Sequence, residues 1–337
     1  MRILFVTSTR IGDAVLSTGL MDHLVKAHPG CRITVACGPA AAPLFAEAPF
    51  IDRVIVMQKR RRSGHWVDLW RQTIFTRWDK TVDLRGSALT WLLRTNRHIV
   101  AGKGNGKEHR LVQLGRAMGL AEPPLPRIVV SEATRAKART LMAGSQPIIA
   151  LGPTANWWGK QWPAERFASA IARLTGRTGP LAGARIAVFG APSERAMAEP
   201  LLGAMPKDLT IDLIGKVSLL EAFACLERAT LFLGNDSGLM HLAAAAGVPT
   251  AGLFGPSPEA VYAPFGPRCI AVRGPRTYEE IVRAPDFDHL APRSYMLDLS
   301  VDRVVEAVTA LVAPPSAPAP PPEASAPAET SKAEAPQ

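Results

Sequence analysis

Short apolar runs along this chain alternate with longer stretches in which apolar residues have a helical spacing. The short runs are typical of strands buried in a parallel sheet, and the alternation favours an α/β doubly wound fold. In the first half we predict strands at Arg2–Thr7, Arg32–Ala36, Arg53–Met57, Thr81–Leu84 and Ile99–Ala101, and helices at Asp13–Ala27, Ala40–Ala48, His65–Thr76, Ala88–Arg94 and His109–Met118.

A proline-rich break, Glu122–Pro126, interrupts the alternation, which then starts again. We therefore expect two Rossmann-like domains, residues 1–130 and 131–313, facing a central cleft where ligands bind at the carboxyl ends of the strands. The last predicted helix can pack back on the first domain. In the second half we predict strands at Pro147–Leu151, Arg185–Phe189, Thr210–Leu213, Leu231–Leu233, Thr250–Phe254 and Cys269–Val272, and helices at Ala164–Thr175, Ser193–Ala204, Leu219–Arg228, Leu239–Ala246 and Val301–Leu311.

The composition fits two folded domains followed by an unstructured end. The chain has 337 residues, of which 47% are hydrophobic, and this is enough for two packed cores. Residues 314–337 contain eight prolines in 24 positions, and we predict a disordered tail without a catalytic role. The four cysteines match no zinc or CxxC spacing, and Cys31 and Cys37, which border a predicted strand, are interpreted as core residues.

The charge balance indicates an anionic partner. There are 39 Lys and Arg against 29 Asp and Glu, which gives a net charge of +10. Such an excess suits a nucleic acid, an acidic membrane surface or a phosphorylated substrate, and composition does not choose among them. We see no signal peptide and no run of about 18 apolar residues, so we expect a cytoplasmic protein that does not span the membrane.

The segment from Leu233 to Thr250 carries the most informative pattern, which is strand, polar turn, helix, glycine stop and strand. A helix N-terminus in such a turn presents backbone N–H groups and a positive dipole end, and it binds an anion such as a diphosphate. His241 follows one turn into the helix. Simpler interpretations are a helix cap for Asp236 and a packed helix residue for His241, and neither has a metal-ligand spacing to its neighbours. The turn itself consists of Asn235, Asp236, Ser237 and Gly238.

A second polar turn, Thr7–Val15, follows the first predicted strand. Gly12 there permits a tight turn and the close approach of a ligand. Asp13 lies in the first turn of the next helix, where it either favours the helix dipole or acts as a general base toward an acceptor hydroxyl. The chain has no GxGxxG here, which disfavours a nicotinamide-dependent oxidoreductase.

Three loops of the second half lie on the same predicted rim. Thr154 and Asn156 can donate hydrogen bonds, and Lys160 is either a phosphate-binding charge or a solvated loop residue. Glu194 can accept from a ribose diol or simply begin a helix. Val217 can border a base or belong to the core.

A basic segment follows the third predicted strand. It lies beside Trp66, Trp70 and Trp78, and Arg85 can extend it. Basic and aromatic residues together suit an anionic membrane interface or single-stranded nucleic acid, and the alternative is a solvated charge run with inward-packed tryptophans. The basic residues are Lys59, Arg60, Arg61 and Arg62.

These motifs together resemble glycosyltransferase family 9, the bacterial heptosyltransferases. The resemblance spans about residues 1–312. Two departures concern Ser237, where threonine is common, and the Trp157–Trp158 pair, where polar residues are common. The matching motifs are Thr9–Asp13, Gly159–Pro163, Asn235–Ala243, Gly247–Pro249 and Phe254–Pro256.

The resemblance implies a GT-B fold and inverting transfer of heptose from ADP-heptose to the lipopolysaccharide inner core. It implies that Asp13 is the base and that Lys160 neutralises the diphosphate leaving group. Donor contacts are implied for Thr154 and Asn156 (phosphate), Glu194 (ribose), Val217 (adenine), Asp236 (sugar hydroxyls), and Ser237, Gly238 and His241 (phosphate).

On the acceptor side, the resemblance implies that the basic segment meets acidic Kdo and lipid A phosphates at the inner membrane face. Gly12 and Arg85 are expected on the same side. We expect a peripheral monomer with no nucleic-acid partner and no cofactor beyond the nucleotide sugar, since no motif requires a divalent ion. The alternatives are another nucleotide-sugar donor, a GT-B-type nucleotide-sugar epimerase, and a non-catalytic basic binding module.

Overall fold

The computed structural model describes residues 1–102 and 104–313 and contains two parallel sheets. The first has the strand order β3-β2-β1-β4-β5 and the second has the order β11-β10-β9-β6-β7-β8. The strands are β1 Arg2–Val6, β2 Arg32–Cys37, β3 Ile51–Val56, β4 Lys80–Asp83, β5 His98–Val100, β6 Ile148–Gly152, β7 Arg185–Val188, β8 Thr210–Asp212, β9 Leu231–Asn235, β10 Thr250–Phe254 and β11 Cys269–Arg273.

Helices connect these strands and give the α/β organisation that the sequence predicts. Each predicted strand is present, with its ends moved by at most two residues. The helices are α1 Ile11–Ala27, α2 Gly64–Thr73, α3 Arg110–Ala117, α4 Glu132–Leu141, α5 Ala164–Thr175, α6 Arg195–Ala204, α7 Leu219–Leu226, α8 Gly238–Ala245, α9 Glu259–Tyr262, α10 Tyr278–Val282 and α11 Val301–Val312.

Two predicted helices are wrong. Each is only a short 3-10 turn, at Ala42–Phe45 in place of Ala40–Ala48 and at Leu89–Leu92 in place of Ala88–Arg94. In the second case Leu93 is already extended, because the chain turns there toward the bridge between Trp78 and Thr95. Helices α4, α9 and α10 were not predicted, although Ser131 and Thr277 cap two of them with their side chains.

The apolar core joins the two halves. One cluster contains Ile3 and Phe5 of β1 together with Phe232 of β9 and Met240 of α8, all fully buried. The predicted core residues Cys31 and Cys37 are buried in it as well, and burial raises the pKa of the Cys37 thiol to about 12. The two sheets are therefore held together by shared apolar packing.

The terminal helix does not follow the predicted return to the first domain. It packs mainly on α5 and β11 of the second half, where Val304 and Val308 are fully buried. Within residues 1–102 and 104–313, no helix has both the length and the apolarity to cross a bilayer. The predicted disordered tail, residues 314–337, lies outside the described residues.

Candidate functional site

The N-termini of α1 and α8 meet at the carboxyl edges of the two sheets. A Cβ added at Gly238 would lie 2.9 Å from Ile11 Cβ, so the two first turns are in direct contact. Neither helix has a side-chain cap bond from its N-cap residue, which is Arg10 for α1 and Ser237 for α8. First-turn N–H groups of both helices therefore point into the same space, and two positive dipole ends favour an anion there.

A cavity of about 560 Å³ opens at this contact. It brings together the predicted donor-side residues, which come from the four separate segments that follow β6, β7, β8 and β9. Phe189, Leu239 and Tyr262 add apolar and aromatic wall. The predicted residues that line it are Gly12, Asp13, Thr154, Asn156, Lys160, Glu194, Val217, Asp236, Ser237, Gly238 and His241. Below, we call this space the donor-side cavity.

Lys160 and Asp236 form an ion pair inside this cavity, with 2.5 Å between Nζ and Oδ2. The Asp236 side chain is only 7% exposed, and that of Lys160 is 23% exposed. Asp236 is not the helix cap, since Ser237 occupies that position. The lysine charge is thus held at the mouth of α8, where it adds to the positive field of the helix end.

Asn235 is a positioning residue that the sequence analysis named only as part of the turn. Its side-chain amide donates to the carbonyl of Pro153 at 2.7 Å, and its Oδ1 accepts from the backbone N–H of Trp162 at 3.0 Å. Asn235 is fully buried. It therefore ties the loop that carries Lys160 to the end of β9, and it sets where Lys160 meets Asp236.

Glu194 is held at the far side of the donor-side cavity. Its Oε2 accepts from Thr154 Oγ1 at 3.0 Å and from the backbone N–H of Ala191 at 2.8 Å. Glu194 belongs to a short 3-10 turn that precedes α6, which agrees with its simpler interpretation as a helix-start residue. The carboxylate is oriented beside Thr154, which makes both available to one bound molecule.

Asp13 lies where two cavities meet. It lines the donor-side cavity and also a second one of about 650 Å³, which we call the Asp13 cavity. Ser8 Oγ donates to Asp13 Oδ2 at 3.3 Å. Tyr262 also lines both cavities, and burial, with a smaller contribution from Asp13, raises the pKa of its hydroxyl. A carboxylate in this position can contact two different molecules.

The Asp13 cavity contains two arginines, of which the sequence analysis identified only Arg85. Arg110 is the other, and its guanidinium donates to the carbonyl of Leu84 at 3.2 Å and to Gln113 Oε1 at 3.2 Å. No local pattern marked Arg110, because it begins an ordinary helix. Its position on this cavity depends on how α3 packs against α1.

His241 is 5% exposed, and its Nδ1 has no hydrogen-bond partner among the described residues. Burial lowers the pKa of its imidazole, against the opposing effect of Asp236 and Asp13. The ring is therefore neutral at pH 7, so it offers hydrogen bonds rather than a positive charge.

The predicted acceptor residues do not all line one cavity. The basic segment Lys59–Arg62 leads into α2 and is absent from the described linings of both cavities. Arg60 instead pairs with Asp68 at 2.8 Å. Arg85 lines the Asp13 cavity, and its guanidinium carbon lies 4.8 Å above the ring of Trp66. In the described part of the chain, no group of three or more His, Cys, Asp or Glu could hold a metal ion.

Comparison with known proteins identifies a family. The model for glycosyltransferase family 9 (heptosyltransferase) matches residues 50–289. Lipooligosaccharide heptosyltransferase 2 of Haemophilus influenzae is 25% identical, over 81% of this chain and 88% of that protein. Lipopolysaccharide heptosyltransferase 2 of Escherichia coli K12 is 23% identical, over 93% of this chain and 99% of that protein.

Two solved structures share the fold. The ADP-heptose lipopolysaccharide heptosyltransferase II of E. coli has a TM-score of 0.70 at 21% identity and covers 93% of this chain and 98% of its own. A family 9 glycosyltransferase of Veillonella parvula has a TM-score of 0.74 at 23% identity and covers 92% and 97%. The predicted GT-B architecture is confirmed.

Proposed function

This chain belongs to glycosyltransferase family 9 and is a glycosyltransferase, and we propose that it transfers heptose from ADP-heptose to a lipopolysaccharide inner-core precursor. The observation that carries the proposal is the shared position of Asp13, which lines both the donor-side cavity and the Asp13 cavity. A transferase needs such a group, because the acceptor hydroxyl must lose its proton beside the sugar that it attacks.

The donor-side cavity suits a nucleoside diphosphate sugar. The N-termini of α1 and α8 and the ammonium of Lys160 supply positive charge for a diphosphate. In this proposal, Lys160 shares its charge between Asp236 and the diphosphate, while the Asp236 carboxylate accepts from sugar hydroxyls. Ser237, Gly238 and His241 lie beside the same phosphates, with Thr154 and Asn156 opposite.

The nucleoside end of the donor would lie toward Glu194 and Val217, which line the same cavity. Glu194 accepts from the ribose diol, and Val217 supplies an apolar wall for adenine. No further cofactor enters the proposed reaction.

The proposed chemistry is a single displacement with inversion. Asp13 accepts the proton of the acceptor hydroxyl, whose oxygen bonds to the anomeric carbon from the face opposite the diphosphate. The bond between that carbon and the diphosphate oxygen breaks, and ADP leaves with the electron pair. Lys160 and the two helix ends stabilise the charge that develops on the leaving group, which is where electrostatic stabilisation contributes most.

We propose that the acceptor is an anionic molecule close to a membrane. Arg85 and Arg110 line the Asp13 cavity, and the basic segment Lys59–Arg62 lies on the same half of the molecule. Acidic Kdo sugars and lipid A phosphates match these charges. We propose a monomer that works at the inner face of the cytoplasmic membrane.

The experiment measures ADP release from ADP-heptose, with and without a Kdo-lipid A acceptor, for the wild type and for Asp13→Asn. Acceptor-dependent release that disappears in the variant supports both the transferase reaction and the role of Asp13. A panel of other nucleotide sugars is assayed in parallel. Release of a nucleoside diphosphate from one of those, with none from ADP-heptose, would exclude heptose as the transferred sugar and keep the proposed reaction type.

A further inference from the structure

A third cavity, of about 580 Å³, lies on the first half of the molecule between α2 and the turn Leu89–Leu92. We call it the apolar cavity. Its walls are mostly hydrocarbon and aromatic, from Trp66, Val67, Trp70, Leu89 and Leu92. Val67 is 49% exposed and Leu92 is 65% exposed, so the opening itself is apolar. Exposed apolar surface of this kind indicates a binding site for an apolar group.

The apolar cavity adjoins the Asp13 cavity. Arg85 and Gly86 line both of them, just as Asp13 and Tyr262 line both the Asp13 cavity and the donor-side cavity. The three spaces therefore form a series. The donor-side cavity contains the Lys160–Asp236 ion pair. The Asp13 cavity follows it and contains two arginines, and the apolar cavity, lined by hydrocarbon, comes last.

Arg85 marks the border between the cavities with charged linings and the apolar cavity. The Arg85 guanidinium lies over Trp66, at the border between the apolar cavity and the Asp13 cavity. It is the single charged residue in the described lining of the apolar cavity. An occupant that matches this series has a hydroxyl near Asp13, an anionic group near Arg85 and hydrocarbon beyond it.

We propose that the apolar cavity binds an acyl chain of an anionic glycolipid acceptor, so that the enzyme recognises the hydrocarbon of its acceptor as well as its sugar. This inference rests on the proposed function for the location of the acceptor in the Asp13 cavity. The occupant is a chain of the acceptor itself rather than the bulk membrane, because the apolar cavity shares Arg85 and Gly86 with the cavity that contains the base.

Two substitutions test the cavity. Ala88→Phe fills it from an exposed lining position, and Leu92→Asn makes its opening polar. The matched control is Trp91→Ala, since Trp91 is 66% exposed beside Leu92, stacks on His98 and is not in the described lining. Insertion into the bulk membrane would depend on Trp91 at least as much as on Leu92.

The first measurement is the ratio of kcat/KM for an acylated acceptor to kcat/KM for the same acceptor with its acyl chains removed. We expect wild type to favour the acylated acceptor. Both cavity variants should lower the ratio by about 10-fold or more through KM, because burial of a few methylenes is lost. Trp91→Ala should keep the wild-type ratio. A wild-type ratio near one, or an equal loss in Trp91→Ala, would overturn the proposal, and the latter would indicate membrane docking.

The second measurement needs no turnover. A lysophosphatidic acid with a brominated chain quenches tryptophan fluorescence on contact, and Trp66 and Trp70 line the cavity. We expect saturable quenching in wild type and Trp91→Ala, and weaker quenching in Ala88→Phe. Quenching without any transfer would support the cavity and contradict the proposed function. If heptose transfer occurs but Ala88→Phe is quenched as strongly as wild type, the proposed function would be supported and the acyl-chain cavity contradicted.

Discussion

Gly12 of α1 lies directly against His241 of α8. A Cβ added at Gly12 would come within 2.7 Å of His241 Cδ2, a distance that folded proteins do not tolerate. Gly12 is inside the helix and is not among the glycines with positive φ. The predicted tight turn therefore does not explain why glycine occupies this position. The reason is the close approach of two helix N-termini, one from each half of the molecule.

We therefore expect Gly12→Ala to destabilise the fold by about 1–3 kcal/mol, although alanine favours a helix, because overpacking must displace His241. Gly203→Ala in α6 is the matched control, since a Cβ there meets nothing within 4 Å. It should stabilise the protein by about 0.5–1 kcal/mol. Urea unfolding of both variants measures this, and equal changes would contradict the packing role of Gly12.

Asp13→Asn should lower kcat by about 100-fold or more while donor affinity changes little, which is the scale of lost general-base help. The matched control is Asp22→Asn, on the same helix but paired with Lys26 at 2.7 Å. Steady-state kinetics and ADP titrations separate the two effects. If the turnover number of Asp13→Asn equals that of wild type within error, Asp13 is not the general base.

Lys160→Met should weaken ADP binding by about 10-fold or more, because it removes a positive charge and leaves Asp236 unpaired beside the diphosphate. The double variant Lys160→Met with Asp236→Asn should recover part of that loss. A double-mutant cycle on the ADP dissociation constant measures the coupling. Strict additivity would show that the pair does not act together in donor binding.

The environment of His109 predicts that the free energy of unfolding depends on pH. Its Nδ1 accepts from the backbone N–H of Leu111 at 3.2 Å, and its Nε2 lies 3.0 Å from the carbonyl of Ala263 in the other half. This arrangement needs the neutral ring with a proton on Nε2, and burial lowers the pKa of His109. The unfolded chain therefore binds more protons, so stability is complete above the usual value of about 6.5 and falls as the pH drops below it.

The test is the difference in unfolding free energy between pH 7.5 and pH 5.5. His109→Asn is the variant, because asparagine can cap the same helix without titrating. We expect a smaller difference for the variant than for wild type. His28, His65 and His241, whose pKa values are also lowered with burial as the main cause, keep part of the dependence. Equal differences in both proteins would contradict the role of His109.

Replacing Arg60, Arg61 and Arg62 with serine should weaken acceptor use and reduce its sensitivity to salt, since exposed charges act through a screened field. The control removes three exposed charges from the second half, at Arg177, Lys207 and Arg303. Acceptor KM at two salt concentrations distinguishes them. An equal response of both triple variants would show that net charge, not this segment, is responsible.

Local patterns were sufficient for the strands and for the residues at their ends. A parallel sheet buries its strands on both faces, so each strand is a short apolar run that the sequence displays directly. Polar loops after such runs lie at one edge of a sheet, which is why the donor-side residues could be named together. The same patterns failed at Ala40–Ala48 and Ala88–Arg94, where helical spacing was too short to decide between a helix and a turn.

The sequence by itself determined the two α/β halves and the presence of Asp13, Lys160, Asp236 and His241 at strand ends, because those depend on spacing along the chain. Only the tertiary structure decided which of them meet. Lys160 and Asp236 are brought within 2.5 Å because β9 pairs directly with β6, and strand order is not encoded in local spacing. The contact of Gly12 with His241 likewise depends on packing between elements that are distant along the chain.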